Sequence, residues 1–275
     1  MDDTVHVSVI IPAYNESASI ERVVEQVIAV LARRGEAFEV LVVDDGSDDG
    51  TPSLAEAAGA TVIRHPYNIG NGAAIKTGIR RARGETLLMM DADGQHDPQD
   101  IPRFLEAAQT YDMVVGARNA DSETEAHRDV ANRVYNTLAS YICNRKIEDL
   151  TSGFRAIRAE IARGFIYLLP NTFSYPTTLT LAIVRSGYSL AYLPIKTVRR
   201  TGRSKIRLMK DGSRFLLIIL RIATFFSPMK VFLPASLSVF LLGFGYGLYK
   251  VLVLGTRYGP TSAMLMTVSV LIFMI

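Results

Sequence analysis

Residues 87–96 read LLMMDADGQH, and this stretch is the most informative feature of the sequence. Its first four residues are apolar without alternation, which is typical of a strand buried on both faces of a parallel sheet. The run ends at Asp91 and Asp93, and ligands of open α/β sheets bind outside the carboxyl ends of the strands. Two carboxylates spaced D-x-D can converge on one hard divalent cation, to which Gln95 adds a neutral oxygen. The alternative is an acidic loop that caps the next helix, beginning near Asp97.

The sequence on either side alternates between strand and helix patterns up to residue 116. This alternation indicates an α/β domain with a doubly wound, mostly parallel sheet. The predicted strands are 5–11, 39–45, 61–65, 85–91 and 112–118, and the predicted helices are 16–34, 51–58, 71–83 and 98–109. Residues 119–185 are expected to be mostly helical and irregular, before a late strand within 189–198.

The C-terminal sequence has a different character. Residues 231–249 are nineteen residues without a charge, long enough to cross a bilayer core of about 30 Å at about 1.5 Å per residue. A second apolar run, 262–275, has fourteen residues, so we expect a transmembrane hairpin whose second helix is short or cut off by the end of the sequence. The alternative is a pair of core helices in a soluble domain.

A basic stretch precedes this hairpin, with seven Lys and Arg against one Asp between residues 199 and 214. Because positive flanks stay in the cytoplasm, we expect the α/β domain at the cytoplasmic face of a cell inner membrane or its equivalent. Residues 214–226 predict an amphipathic helix that lies on the interface or packs on the span. The expected domains are therefore 1–210, the juxtamembrane helix 211–229 and the hairpin 230–275.

Composition excludes several classes of protein. One cysteine, Cys143, leaves no disulfide framework and no cysteine zinc site, and the four histidines lack metal-ligand spacing. The first apolar run is too short for a signal peptide. The net charge is +3, and we expect no nucleic-acid partner; the sequence does not indicate an oligomeric state. A glycine-rich segment at 68–72 begins like a dinucleotide fingerprint, but position 75 is Ile, so the fingerprint is incomplete.

Two further predicted strands run into polar segments, 12–16 and 44–51. Because parallel strands end at the same sheet edge, these segments and Asp91 are expected to line one crevice. Tyr14 offers a ring for base stacking, and Asp45 offers a carboxylate that can accept N–H bonds from a nucleobase. The alternative is ordinary turn and cap chemistry.

These motifs resemble a known family. PAYNE at 12–16, VVDDGSDDGT, HPYNIGNGAAIKTGI and DADGQHDP are similar to those of inverting family 2 glycosyltransferases with a GT-A fold. SGF at 152–154, R-x-x-G-x-S-K at 199–205 and the C-terminal hairpin resemble the polyprenyl-phosphate sugar synthase branch, which includes dolichol-phosphate mannose synthases and undecaprenyl-phosphate glycosyltransferases. The resemblance covers residues 5 to about 210 in motif order.

The resemblance implies a donor site made from the strand ends. A nucleotide sugar, either GDP- or UDP-linked, would lie against the nucleotide-lining residues, and its diphosphate would bind through Mg²⁺ or Mn²⁺. The nucleotide-lining residues would be Pro12, Tyr14, Glu16 and Asp45, with Asp91, Ala92 and Asp93 also on the donor. The metal ligands would be Asp91, Asp93 and Gln95.

The resemblance also implies an acceptor site for a polyprenyl phosphate in the bilayer. Arg118 and Arg133 would hold the acceptor phosphate, with Arg128 as a near alternative to Arg133. Arg199 and Lys205 would neutralise the donor diphosphate or close a loop over it. Each arginine also has a simpler interpretation as a surface charge.

The expected reaction is transfer of a single hexosyl unit with inversion. A phosphate monoester, whose second pKa is near 6, needs charge screening rather than a general base. We therefore expect no essential base. The processive relatives carry Q-x-x-R-W, which this chain cannot contain because it has no tryptophan.

Two alternatives remain open from the sequence. The first is a membrane-anchored glycosyltransferase with a hydroxyl acceptor on a glycan or glycolipid, which would need a base, for which Asp149 is the best candidate. The second is a non-catalytic membrane subunit that binds a nucleotide sugar.

Overall fold

A computed structural model describes residues 5–118, 126–172, 174–197, 217, 219–221 and 223–274, with backbone only for 126–132. The chain divides into two compact units, Met1–Phe215 and Leu216–Ile275. The expected helix at 214–226 falls partly outside the described residues, and Arg199 and Lys205 fall wholly outside them.

The first unit contains seven strands and seven α-helices among its described residues. The strands are β1 (Val7–Ala13), β2 (Phe38–Asp44), β3 (Thr61–Arg64), β4 (Thr86–Met89), β5 (Met113–Arg118), β6 (Arg155–Arg158) and β7 (Leu190–Ile195). The helices are α1 (Ile20–Ala32), α2 (Thr51–Ala57), α3 (Asn71–Arg81), α4 (Ile101–Ala108), α5 (Ala126–Cys143), α6 (Ala159–Phe165) and α7 (Tyr175–Arg185).

The seven strands form one sheet in the order β3-β2-β1-β4-β6-β5-β7. β6 is antiparallel to β4 and β5, whereas the other neighbours are parallel. β2, β1 and β4 are adjacent, with Ala13 paired to Asp44 and Ile10 paired to Met89. The prediction of a mostly parallel α/β sheet is confirmed, and the three polar segments follow neighbouring strands.

The central strands β1 and β4 are buried on both faces of the sheet. Every residue of β1 is buried, as are the last three of β4. α1 covers one face with an apolar stripe at helical spacing, made of Ile20, Val23, Val24, Val27, Val30 and Leu31. Burying each such side chain contributes about 1.5–3 kcal/mol, so this layer fixes the strand ends on which the site is built.

The structure corrects two helix starts. The predicted helix 16–34 begins only at Ile20, because the N–H groups of Ser19 and Ile20 both donate to the carbonyl of Glu16 in a turn. The predicted helix from Pro98 opens as a short 3-10 turn, and α4 starts at Ile101. As a result, the residues that follow β1 and β4 belong to loops at the edge of the sheet rather than to helices.

The structure also adds a central strand that the sequence pattern did not predict. β6 lies inside the stretch 119–185, which we expected to be mostly helical and irregular. The sequence of β6, RAIR, lacks the apolar pattern of a buried strand because two of its four residues are arginines. Arg155 is fully buried, and Arg158 pairs with Asp112 at 3.3 Å between Nη1 and Oδ1. The late strand β7 falls within the predicted range.

The described residues of the second unit include a pair of antiparallel apolar helices, α8 (Pro228–Leu252) and α9 (Pro260–Met274). Small residues line the contact between α8 and α9. The Ser236 hydroxyl donates to the Ser269 carbonyl at 2.8 Å. A Cβ added to Gly243 would lie 2.8 Å from the Cβ of Leu265. Large apolar side chains such as Leu242, 68% exposed, point outward. Small residues inside and apolar residues outside are typical of membrane helices. Among the described residues, α8 alone has the length and composition to cross a membrane.

Candidate active site

The segments after β1 and β2 are joined by hydrogen bonds. The N–H of Asn15 donates to the Ser47 hydroxyl at 2.9 Å, and the N–H of Glu16 donates to the Thr51 hydroxyl at 2.9 Å. Asn15 has a φ of 54°, a left-handed conformation that asparagine tolerates. Tyr14, 36% exposed, is presented beside this turn. The two segments thus form one rigid rim.

Asp45 lies under this rim and is 2% exposed. Its carboxylate accepts the N–H groups of Ile69 at 3.0 Å and Gly70 at 2.8 Å, and Nδ1 of His65 lies 2.8 Å from Oδ1. Nε2 of the same ring lies 2.9 Å from the Thr77 hydroxyl. Asp45 therefore organises the loop after β3, and its contact with a nucleobase stays a prediction. His65 could not be identified from the sequence, where it is one of four scattered histidines.

The glycine-rich segment packs against a loop before α7. The N–H of Gly72 donates to the Thr172 carbonyl at 3.1 Å, and that of Ala73 donates to the Asn171 carbonyl at 2.7 Å. A Cβ at Gly72 would overlap the Pro170 carbonyl oxygen. The first N–H groups of α3 are thereby occupied by protein carbonyls, in keeping with the incomplete dinucleotide fingerprint.

Lys76 fastens the same loop. Its Nζ donates to the Leu169 carbonyl at 3.2 Å and to the Asn171 side-chain oxygen. Burial, followed by the nearby charge of Arg80, lowers the pKa of Lys76 below its usual value. Lys76 therefore fastens α3 to the loop before α7.

The D-x-D loop follows β4. Asp91 keeps a side chain that is 35% exposed, and Nε2 of His96 lies 3.5 Å from its Oδ2. Asp93 accepts the N–H of Gln95 at 3.1 Å. The two carboxylates and the Gln95 amide offer oxygen atoms of the kind that Mg²⁺ or Mn²⁺ binds, and their role as metal ligands stays a prediction. Within the described ranges, no group of three or more His, Cys, Asp or Glu is placed to hold a metal ion.

The SGF segment supports Asp91 from below. A Cβ on Gly153 would lie 2.5 Å from Oδ2 of Asp91, so any larger residue would have to displace the Asp91 carboxylate. The next ring, Phe154, stacks on Phe104 with centroids 4.2 Å apart and lies 5.3 Å from the His96 ring. His96 is itself 8% exposed. Asp91 is therefore held between a glycine and a buried histidine, which sequence reasoning did not identify.

Arg118, at the end of β5, forms a two-point ion pair with Asp149. Nε lies 2.7 Å from Oδ2 and Nη2 lies 3.0 Å from Oδ1, and Nη2 also donates to the Thr151 hydroxyl. Oδ1 of Asp149 accepts the N–H groups of Thr151 at 3.0 Å and Ser152 at 3.1 Å as well. Burial alone would raise the pKa of Asp149, but the Arg118 guanidinium and these N–H groups outweigh it and lower that pKa.

A second arginine is enclosed beneath the site. Arg155 is fully buried, donating through Nη1 to the Pro176 carbonyl at 3.1 Å and the Thr180 hydroxyl at 3.3 Å, and through Nη2 to the Ser152 carbonyl. Its guanidinium carbon lies 5.8 Å from the centre of the Tyr175 ring. Burial lowers the pKa of Arg155. This cation ties β6, the SGF segment and α7 together; sequence reasoning missed it because a lone Arg usually indicates a surface.

These elements enclose a cavity of about 70 Å³ beside the D-x-D loop. Residues from the start of α3, the D-x-D loop, the SGF segment and the start of α7 contribute to its wall. They are Asn71, Asp91, Thr151, Gly153, Ser174, Tyr175, Pro176 and Thr177.

The remaining predicted residues are distributed as follows. Pro12 is buried within β1, opposite Val43, and Ala92 is buried between the two aspartates. Arg133 is an exposed residue of α5. One turn later, the Asn136 amide donates to the Glu148 carbonyl at 2.7 Å, so α5 braces the segment that carries Asp149. Arg199 and Lys205 lie outside the described residues. The binding roles expected for all these residues stay predictions.

Comparison with known families agrees with this arrangement. Residues 8–165 match the family described as Glycosyl transferase family 2, and residues 227–275 match the one described as GtrB C-terminal hairpin.

Similar proteins carry transferase names. An undecaprenyl-phosphate 4-deoxy-4-formamido-L-arabinose transferase of Pectobacterium carotovorum subsp. carotovorum is 33% identical over 64% of this chain and 59% of its own length. The chain thus spans about three fifths of that relative. A transferase of the same name from Pseudomonas aeruginosa is 30% identical over 94% of this chain and 76% of its own length.

Solved structures support the fold. Glucosyl-3-phosphoglycerate synthase from Mycobacterium tuberculosis, crystallised with Mn²⁺, UDP and phosphoglyceric acid, superposes with a TM-score of 0.64. It is 21% identical, and the match covers 79% of this chain and 78% of that one. At this identity the likeness concerns the fold, which is of the expected GT-A type.

Proposed function

This chain belongs to glycosyl transferase family 2, and on that premise we propose that it transfers a single sugar unit from a nucleotide sugar to a polyprenyl phosphate, with inversion. The observation that carries the proposal is the pairing of Arg118 with Asp149 on the same sheet edge as the D-x-D loop. The names of the relatives, which are undecaprenyl-phosphate sugar transferases, support a lipid-phosphate acceptor.

The donor would lie across the ends of β1, β2 and β4. Tyr14 and the rim that it belongs to would face the base, with Asp45 below them. Asp91, Asp93 and Gln95 would hold a divalent cation, which supplies positive charge to the diphosphate as it leaves. Glucosyl-3-phosphoglycerate synthase of M. tuberculosis, which has a similar fold and was crystallised with Mn²⁺, supports this assignment.

The residues expected at the acceptor site favour a phosphate as the nucleophile. A phosphate monoester is largely dianionic at neutral pH and already carries its attacking lone pair, so no proton has to be removed. It needs a cation that is held in place while it approaches an anionic diphosphate. Arg118 supplies such a cation, since its guanidinium is oriented by two hydrogen bonds to one buried carboxylate.

Asp149 is poorly suited to be the base that a hydroxyl acceptor requires. Its oxygens accept hydrogen bonds from Arg118, Thr151 and Ser152, and its pKa is lowered by the same neighbours against the effect of burial. A carboxylate with a depressed pKa removes protons inefficiently near pH 7. This observation favours the phosphate acceptor over the hydroxyl acceptor that the sequence left open.

The second unit supports a location in the membrane. α8 has the length and composition of a membrane span and pairs with α9 through small residues. With the basic stretch at 199–214 before it, the positive-inside rule favours a cytoplasmic active site, the side on which nucleotide sugars are available.

The test is a transfer assay with the full-length chain in detergent or lipid nanodiscs. UDP-sugars, GDP-sugars and nucleotide-activated 4-deoxy-4-formamido-L-arabinose are each incubated with undecaprenyl or dolichyl phosphate and Mg²⁺ or Mn²⁺. We expect one donor to give a lipid-linked monosaccharide whose anomeric configuration, read by NMR, is opposite to that of the donor. Absence of lipid-linked product with every donor contradicts the proposal, and retention of configuration contradicts its inverting step.

A further inference from the structure

His65 is a buried histidine to which the proposed reaction assigns no role. It directly follows β3, is 9% exposed, and its backbone N–H donates to the Asp44 carbonyl at 2.8 Å. Its ring uses both nitrogens, with Nδ1 2.8 Å from Oδ1 of Asp45 and Nε2 2.9 Å from the Thr77 hydroxyl. A ring that is held at both nitrogens has one orientation, so it can fix the position of the group that it contacts.

The partners of the ring decide where its hydrogen lies. A carboxylate can only accept hydrogen bonds, so Nδ1 carries the hydrogen that points at Asp45. Nε2 of the uncharged ring then accepts the hydrogen of the Thr77 hydroxyl, which is on α3. The three side chains therefore form one chain of hydrogen bonds, directed from Thr77 on α3 to Asp45 after β2.

The Asp45 carboxylate has one acceptor position left. Oδ1 accepts from His65 and Ile69, whereas Oδ2 accepts from Gly70. Each carboxylate oxygen has two lone pairs, so the remaining position is on Oδ2. Of the three donors in the described part of the chain, His65 is the one side chain, and it lies closer to Oδ1 than the Ile69 N–H does. Without His65 the carboxylate could turn about its Cβ–Cγ bond and move the remaining position.

We propose that His65 is a positioning residue for the nucleotide donor. It holds the Asp45 carboxylate so that the remaining position on Oδ2 is presented to an N–H of the nucleobase. The inference rests on the proposed function, which puts the base at the rim above Asp45. His65 touches no substrate itself and acts through Asp45, so its loss should affect recognition of the base and not of the phosphates.

Two amide substitutions separate the nitrogens of the ring. In His65→Asn the amide nitrogen is as many bonds from the backbone as Nδ1 and can still donate to Asp45. In His65→Gln the amide nitrogen has the reach of Nε2, so the contact with Thr77 is kept and the donor to Asp45 is lost. The matched control is His6→Gln, which changes an exposed histidine just before β1.

Calorimetry with the full-length chain in detergent and Mn²⁺ measures the affinity for UDP, for GDP and for inorganic pyrophosphate. Pyrophosphate offers the phosphates without the base, so it reports the part of binding that His65 should leave unchanged. Because Asp45 is 2% exposed, water is poorly placed to replace the lost donor in His65→Gln.

For the nucleotide that the wild type binds, we expect His65→Gln to weaken the affinity about tenfold, the equivalent of one hydrogen bond. His65→Asn should stay within about threefold of the wild type and His6→Gln within about twofold. Pyrophosphate should bind all of these variants as it binds the wild type.

A double-mutant cycle tests whether His65 acts through Asp45. Asp45→Asn changes the acceptor itself and should weaken nucleotide binding at least as much as His65→Gln does. Because both changes affect one hydrogen-bonded unit, the double variant should bind nucleotide as Asp45→Asn does, and the two losses should not multiply.

Thr77→Val loosens the ring from its other side without touching Asp45. It removes the partner of Nε2 and keeps the donor at Nδ1, so nucleotide affinity should fall about threefold while pyrophosphate affinity stays unchanged. Wild-type nucleotide affinity in Thr77→Val overturns the inference, and this measurement decides the matter even if His65→Gln fails to fold.

Three further results would overturn the positioning role. These are an equal loss of nucleotide and pyrophosphate affinity in His65→Gln, an equal loss of nucleotide affinity in His65→Asn and His65→Gln, and multiplied losses in the double variant. Wild-type nucleotide affinity in His65→Gln also overturns it and leaves the proposed function standing. If the wild-type chain binds neither UDP nor GDP, the proposed function fails and the role of His65 fails with it.

Discussion

The guanidinium of Arg118 and the carboxylate of Asp149 form a two-point ion pair, with distances of 2.7 Å from Nε to Oδ2 and 3.0 Å from Nη2 to Oδ1. Two residues that the sequence suggested for competing mechanisms, an acceptor-binding cation and a general base, are therefore one unit. Asp149 is buried and Arg118 is partly exposed, so the carboxylate orients a cation that a substrate can reach.

We expect Asp149→Asn to weaken acceptor use without removing a base. Loss of one charge should disorder Arg118 and raise the KM for polyprenyl phosphate on the order of tenfold, or about 1.4 kcal/mol. The acid limb of the pH–rate profile should stay near pH 6 in both proteins, where the acceptor phosphate takes up its second proton. Steady-state kinetics between pH 5 and 8 measure both quantities.

The hydroxyl-acceptor mechanism predicts a different result for Asp149→Asn. It requires that Asp149→Asn abolish transfer at every pH and at every acceptor concentration. Arg118→Gln provides the matched control, because it breaks the same ion pair while leaving the carboxylate in place. Activity in Arg118→Gln together with none in Asp149→Asn would establish a base at Asp149.

Asp91→Asn should remove divalent-cation binding. Replacing one carboxylate oxygen with an amide weakens a hard-cation site, and the charge that it supplied to the leaving diphosphate is lost. We expect Mn²⁺ bound in the presence of UDP or GDP to become undetectable by electron paramagnetic resonance, and sugar transfer to fall at least about 100-fold.

Asp97→Asn is the control in the same loop. Asp97 is exposed and its Oδ1 caps a short 3-10 turn by accepting the Gln99 N–H at 2.9 Å, which an asparagine can also accept. Wild-type Mn²⁺ binding in Asp91→Asn would show that the D-x-D loop is a structural acidic turn, and would favour the non-catalytic alternative.

Gly72→Ala should separate the two loops that frame the cavity. A methyl group there would overlap the Pro170 carbonyl and lie 2.8 Å from the Thr172 carbonyl oxygen. Overpacking against backbone destabilises by about 1–3 kcal/mol, so the melting temperature of the first unit should fall. Gly164→Ala, on α6, meets no atom within 4 Å of its new Cβ and should leave melting unchanged or raise it. Equal melting of the two variants would contradict the loop contact.

Asp49 should contribute stability that disappears in acid. Burial would raise its pKa, but hydrogen bonds from the Thr51 hydroxyl and N–H and from the Ser17 N–H lower it to about 2. A carboxyl group whose pKa is lower in the folded state than in the unfolded state stabilises the fold at pH values above its unfolded pKa. This stabilisation is lost as the pH falls through the folded pKa, here between about pH 4 and pH 2.

Asp49→Asn should therefore reduce stability at pH 7 by on the order of 1 kcal/mol and make the difference from wild type vanish near pH 2. Urea unfolding followed by circular dichroism at several pH values measures this. The neighbouring exposed Asp48→Asn serves as control and should follow the wild-type curve. A difference that persists unchanged at pH 2 would show that the hydrogen bonds act independently of the charge.

The apolar strands and the D-x-D turn were predictable because each is encoded locally. Residues 87–90 have no alternation, and that pattern alone indicates a strand with both faces covered. The segments after β1, β2 and β4 were expected to line one crevice, and the structure places these three strands next to one another. α8 and α9 were likewise visible as uncharged runs.

β6 and the buried charges were not predictable, because their partners are distant in sequence. Nη1 of Arg155 donates to Pro176 and Thr180, more than twenty residues away, and no local pattern reveals such partners. His65 was missed for the same reason, because its partner Asp45 is 20 residues away. His96 lies near its partner Asp91 in sequence, but the contact depends on how the loop after β4 folds back.

The most direct test of a phosphate nucleophile held by Arg118 is a comparison of two acceptors that differ only in the phosphate. Undecaprenyl phosphate and undecaprenol are supplied at equal concentration with the same nucleotide sugar, Mn²⁺ and full-length chain. We expect glycosylated lipid from the phosphate and at least about 100-fold less from the alcohol, which would need a base to lose its proton. Product from undecaprenol at a comparable rate, or no product from undecaprenyl phosphate, would contradict a phosphate nucleophile held by Arg118.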